Sequence, residues 1–170
     1  LQVGTLRPQR FLAHEIHHIG ADSLLPDPCP EPGLREALQE MTAMVQEGAA
    51  TYLVDGWRGS PTAADFELVE AFLLDSLSSR LSGPELTSRR GELVAGQYGP
   101  TYQVGNEIIA TLTQERGDAW VKARLGDPVG LVQTWQRAVD PEIAFDQQIF
   151  LLLKAAADNE DCAAWLSSLR

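Results

Sequence analysis

The sequence predicts an all-α domain, on three observations. No five-residue window shows the β-branched alternation of a half-buried strand. Apolar residues instead recur three and four positions apart through long segments. Those segments are bounded by Pro, Gly, Asp, Ser and Thr at the positions where helices start and stop. With 170 residues and 44% hydrophobic content, the chain has the length of one domain and enough apolar surface for a core. The expectation is a single helical domain over residues 1–170, with short connections and no internal repeat.

Residues 1–7 form a lead-in, and a helix is expected over about residues 8–19. Pro8 suits its first turn and Gly20 its end. Prolines at 26, 28, 30 and 32 then forbid helix and predict an extended loop. A second helix is expected over residues 34–54, with Leu38, Met41, Met44, Val45, Tyr52 and the alanines as its apolar face. Asp55-Gly56 ends it. Ser60-Pro61-Thr62-Ala63-Ala64-Asp65 carries a Thr-x-x-Asp capping box. It opens a third helix to about Leu81, with Phe66, Leu68, Val69, Phe72, Leu73 and Leu77 as the expected buried stripe. Gly83-Pro84 opens a shorter segment that ends near Leu93, and residues 96–102 are rich in turn formers. A fourth helix over residues 101–116 stops at Gly117. Asp118 is expected to cap a short helix to Leu125. Gly126-Asp127-Pro128 restarts the chain over residues 129–139, and Asp140-Pro141 opens a last helical stretch over residues 142–169.

Composition removes some function classes. Net charge is −11 and the pI is near 4.6, the wrong sign for a nucleic-acid-binding surface. No run of apolar residues is long enough for a transmembrane helix. The start, Leu1-Gln2-Val3-Gly4-Thr5-Leu6-Arg7, lacks the apolar segment of a secretory signal, and the chain does not begin with Met. The expectation is a mature or excised piece of a longer protein. Cys29 and Cys162 could pair only if the C-terminal helix packs on the Pro-rich loop.

The chemistry concentrates in His14-Glu15-Ile16-His17-His18, which reads H-E-x-x-H and holds all the histidines of the chain. Such a motif arises by chance on the order of once in a few hundred chains of this size. On a helix, His14 and His18 sit one turn apart on the same face, so both imidazoles can reach one ion. Glu15 lies at the edge of that face, where it can serve a water without ligating the metal. Two neutral nitrogen ligands, an open position and a base are what a zinc hydrolase needs.

Catalytic zinc takes three protein ligands, so a third is missing. His17 points about 100° away around the helix and cannot join the other two. Glu47, on the next long helix, is preferred because Gly48-Ala49-Ala50 would let that helix approach closely. Position alone does not separate it from Glu36 and Glu40. Asp22 follows His18 too closely and lies past a Gly.

His-Glu-x-x-His followed by Gln46-Glu47-Gly48-Ala49-Ala50 resembles the gluzincin metallopeptidases. In that group the alanyl aminopeptidases carry Asn-Glu-Gly-x-Ala around a ligand. Tyr98-Gly99-Pro100-Thr101-Tyr102-Gln103-Val104-Gly105 and Gly126-Asp127-Pro128 further resemble a largely uncharacterised bacterial family assigned as zinc-dependent peptidases. The likeness spans about residues 11–138. It implies a zincin-like fold, one catalytic Zn2+ on His14, His18 and Glu47, and Glu15 as the base. It also implies a peptide or protein substrate and Tyr102 as the donor to the oxyanion, with Tyr98 second. Many relatives of this type are exported, which leans the expectation toward export while the sequence itself leaves the compartment unknown. Gluzincins usually carry an N-terminal β lobe that binds substrate; here that lobe is missing or lies upstream. The gap from His18 to Glu47 is longer than in thermolysin-like enzymes, and the Pro-rich loop accounts for the excess.

Asp55, Asp22 and Glu107 are candidates for orienting the zinc-bound imidazoles. Tyr52 and Trp57 are expected in the core. Two other readings compete with the peptidase: a catalytically silent metal-binding domain, and an α-helical interaction module.

Overall fold

A computed structural model describes residues 32–78, 80, 83–96, 98–139 and 144–157. Among these the fold is entirely helical. In chain order the helices are α1 (Pro32–Ala49), a π-helical turn (Ala50–Asp55), α2 (Ala63–Leu77), α3 (Gly83–Leu93), α4 (Pro100–Arg116), α5 (Asp118–Lys122), α6 (Pro128–Gln136) and α7 (Gln147–Ala157).

Helix α1 is the axis of the molecule and packs on α2, α4 and α6. Its apolar residues fall three and four apart, so Leu34, Leu38, Met41 and Val45 turn one stripe into the core. Ala37, Met44 and Ala49 widen it. Each large side chain so buried stabilises the fold by about 1.5–3 kcal/mol. Every helix adds to one continuous core, from Phe72 and Leu73 of α2 to Ile149 and Leu153 of α7. In α2, Val69, Phe72 and Leu73 are buried as the pattern predicts, but Leu68 is 45% exposed. A helix of this length presents only one stripe to the core, and Leu68 lies off it.

Helix ends follow local chemistry. Thr62 accepts from the Asp65 N–H, and the Asp65 carboxylate accepts from the Thr62 N–H at 2.7 Å, which completes the expected capping box. Asp127 caps α6 by accepting from the Gly130 N–H at 2.9 Å, followed by Pro128 in the first turn. Asp118 does not cap α5 as expected. It is the first helical residue, and Gly117, at φ 85°, precedes it as the cap. The Gln136 side chain grips the Phe145 backbone: its amide donates to the Phe145 carbonyl, and its carbonyl oxygen accepts from the Phe145 N–H at 2.9 Å. The Asp146 N–H donates to Glu70 Oε2 at 2.6 Å, so the approach to α7 is tied to both α6 and α2.

Helices α1 and α4 meet backbone to backbone. A Cβ added at Gly48 would lie 2.2 Å from the Gly105 carbonyl, and one added at Gly105 would lie 2.0 Å from the Met44 carbonyl oxygen. Only two glycines allow the backbones to meet this way. A glycine inside a helix costs about 1 kcal/mol relative to alanine. Here two of them are retained at one crossing point. The contacts advance in the same sense along both helices, from Glu40 against Thr101 to Gly48 against Gly105.

Candidate active site

His14, Glu15 and His18 lie outside the described residues, as do His17, Asp22, Cys29 and Cys162. The structure shows what the rest of the chain offers. Among the described residues no three His, Cys, Asp or Glu side chains converge as a metal-binding group.

The three acidic candidates on α1 have different surroundings. Glu36 is half-buried, with Arg90 of α3 3.5 Å away. Glu40 is fully buried, and its Oε1 accepts from the Thr101 hydroxyl at 2.5 Å. Its Oε2 has no hydrogen-bond partner. Burial pushes the Glu40 carboxyl above the ordinary range, with the Thr101 hydroxyl and the Arg90 charge drawing it partway back. Glu47, two turns beyond Glu40, is half-buried with Oε2 closed to solvent, at the residue before Gly48. Gly48, the residue after Glu47, meets the backbone of Gly105 on α4, and the histidine segment expected against it lies outside the described residues.

Past Ala49 the helix widens into a π turn, Ala50–Asp55, a form that is rare and often marks functional positions. Thr51 and Asp55 are buried within it. The turn ends at Gly56, at φ 70°, where the N–H groups of Gly56 and Trp57 both donate to the Thr51 carbonyl. That left-handed stop is the helix-ending geometry glycine favours. The following loop is held in place from two sides. The Arg58 guanidinium donates to the carbonyls of Tyr52 and Trp57 at 2.8 Å each and stacks over the Tyr52 ring at 3.9 Å. Asn106, buried on α4 beside the crossing, donates to the Gly59 carbonyl at 3.0 Å.

Tyr102 lies on the first turn of α4, one turn ahead of Gly105. It is half-buried and meets the Tyr98 ring edge-on, with centroids 6.3 Å apart. Tyr98 in turn stacks on Trp57 at 4.8 Å and an interplanar angle of 23°. Tyr52 packs on the core as expected. Trp57 does not: it is half-buried and joins Tyr98. Glu107 accepts from the Thr111 hydroxyl at 3.2 Å on the same helix.

The glycine crossing therefore brings the Glu47 end of α1 against the Tyr102 end of α4. Sequence reading singled out Glu47 and Tyr102 but not Asn106, which clamps the loop between them. The available signal was Gly105-Asn106 in the middle of a helix, where both residues are poor formers. Comparison of the chain with models of known protein families, with curated proteins and with solved structures gives no match.

Proposed function

We propose that this chain is the helical part of a zinc-dependent peptidase with a gluzincin-like ligand set. His14, His18 and Glu47 hold one zinc ion, Glu15 is the base, and Tyr102 donates to the oxyanion. One observation carries the reading beyond the motif. Glu47 stands half-buried with Oε2 closed to solvent, at the residue before Gly48 where α1 meets α4. A carboxylate oxygen shielded from water is stabilised by a cation beside it. One oxygen and two imidazole nitrogens form a donor set suited to catalytic zinc.

Bound zinc supplies Lewis acidity toward a water and the scissile carbonyl. Glu15 takes the proton of the attacking water and delivers it to the leaving amine. The Tyr102 phenol donates to the carbonyl oxygen as negative charge builds there. Because Tyr102 and Glu47 belong to helices locked at Gly48 and Gly105, their relative position is set by backbone contact.

The test is Glu15→Gln beside Tyr102→Phe in a peptidase assay with zinc content measured on the same samples. Glu15→Gln is expected to keep its zinc and lose about 10²- to 10⁴-fold in kcat. Tyr102→Phe is expected to lose about 10²- to 10³-fold in kcat with little change in KM. Full activity in Glu15→Gln would sink the mechanism.

A further inference from the structure

Glu40 is a costly residue to keep where it stands. It is fully buried on α1, beside Ala37, Met41 and Met44, which are buried as well. Its Oε1 accepts from the Thr101 hydroxyl at 2.5 Å, and its Oε2 has no hydrogen-bond partner. Thr101 is also fully buried. Burial holds the carboxyl toward its neutral form, against the pull of the Thr101 hydroxyl and the Arg90 charge. Methionine at 40 with valine at 101 would fill similar space and leave no polar atom unpaired. Replacing both partners of a buried polar pair in this way is often neutral or stabilising. Stability alone therefore does not explain the pair.

What the pair fixes is the first turn of α4. That turn has no side-chain cap: Gly99 occupies the cap position, and Pro100 follows it with no N–H to donate. It is held from outside instead, at successive positions. Gly99 lies so close to the end of α3 that a Cβ there would fall 2.5 Å from the Leu93 carbonyl oxygen. Glu40 holds Thr101. The Gln103 side chain donates to the Tyr98 carbonyl at 3.1 Å. Gly105 meets the α1 backbone one turn after Thr101. Tyr102 stands inside this series, next in the chain to Thr101. The Glu40–Thr101 bond thus joins the turn that carries Tyr102 to the helix that carries Glu47.

We propose that Glu40 is a positioning residue for Tyr102: through Thr101 it ties the first turn of α4 to α1 and so fixes where the Tyr102 phenol stands. What the phenol does there rests on the peptidase reading; the tie itself does not. A hydrogen bond fixes direction as well as distance, which apolar contact does not. In its neutral form the Glu40 carboxyl offers Thr101 a carbonyl oxygen, and a glutamine amide offers the same acceptor. A methionine offers none. The role is therefore separable from packing by substitution.

The experiment labels the chain with fluorotyrosine and assigns the fluorine resonances of its three tyrosines by single Tyr→Phe changes. The double variant Glu40→Met with Thr101→Val removes the bond and leaves neither partner unpaired. It is expected to shift or broaden the Tyr102 resonance, to leave that of Tyr52 in place, and to keep a urea midpoint at or above that of the parent. Glu40→Gln and Thr101→Ser retain acceptor and hydroxyl and are expected to keep the parent resonance. Thr101→Val alone makes the same comparison from the α4 side if the double variant does not fold. In a peptidase assay the bond-less variants are expected to lose about 10- to 10²-fold in kcat with KM nearly unchanged. A Tyr102 resonance unmoved when the bond is removed, Tyr52 and Tyr102 resonances that move together, or a displaced Tyr102 resonance in Glu40→Gln would each overturn the positioning role. A chain whose Tyr102 resonance follows the bond but which hydrolyses no peptide keeps that role and loses the peptidase. An active peptidase whose Tyr102 resonance ignores the bond does the reverse.

Discussion

The Phe66–Trp135–Phe145 cluster and the Trp57–Tyr98–Tyr102 row are built from similar rings in different surroundings. In the first, Trp135 is fully buried, stacks on Phe66 at 5.8 Å and tilts against Phe145 at 5.5 Å. It joins α6, α2 and the approach to α7, and its indole nitrogen has no partner. In the second, the rings are half-buried and fixed by backbone hydrogen bonds and glycines more than by apolar packing. The first arrangement gains stability from burial even at the expense of an unsatisfied N–H. The second gives up burial and keeps orientation. The difference separates rings that hold the fold from rings whose orientation is set by the loop and helix beside them.

The comparison is sharpest at its two tryptophans. Trp135→Ala should cost about 3–5 kcal/mol by urea denaturation, as expected for removing a fully buried ring. A loss near that of an ordinary surface change would break the contrast from the core side. Next in size is the seam between the two regions. Gly105→Ala drives a methyl to 2.0 Å from the Met44 carbonyl oxygen, and backbone cannot move aside as a flexible side chain can. A loss of about 1–3 kcal/mol or more is expected in the same assay. An unchanged midpoint would mean that the two helices are not locked there.

The buried acid on the core side of the seam should show itself through pH. Glu40 is pushed up chiefly by burial, against the Thr101 hydroxyl and Arg90, from an ordinary value of 4.5. The folded protein therefore keeps a proton that the unfolded chain releases. This contribution to stability is full below about pH 4.5 and is lost as pH rises through the raised folded value. Glu40→Gln cannot titrate, so its urea midpoint should gain on the parent as pH rises from 4.5. Parallel curves for the two proteins would contradict this. The smallest expected effect is Trp57→Ala, below about 1 kcal/mol, because its ring is half-buried. A loss as large as that of Trp135→Ala would make the row a second core.

Much of the scaffold was legible from local chemistry. The Thr62–Asp65 box, the Gly83–Leu93 segment, the Asp127-Pro128 restart and the stops at Gly56 and Gly117 each rest on side chains or backbone freedom within a few residues. The π turn was not legible, because a helix of apolar residues reads the same until tertiary contact forces one extra residue into a turn. Nor was the burial of Glu40. It stands among Ala37, Met41 and Met44 on a helix face that could have been read either way, and only Thr101, far along the chain, makes burial tolerable. Gly48 was recognised as a point of close approach, and among the described residues the backbone it meets is that of Gly105, a partner no local pattern names. Tyr102 and Glu47 could be nominated one at a time. Their relation depends on a crossing of two helices that no local pattern encodes.

The most direct test of the central claim is the zinc content of the purified chain by elemental mass spectrometry, beside His18→Ala, Glu47→Ala and Glu40→Gln. The account expects about one zinc per chain, lost in His18→Ala and Glu47→Ala and kept in Glu40→Gln, whose side chain is committed to Thr101. Zinc retained in Glu47→Ala, or absent from the parent after reconstitution, would contradict it.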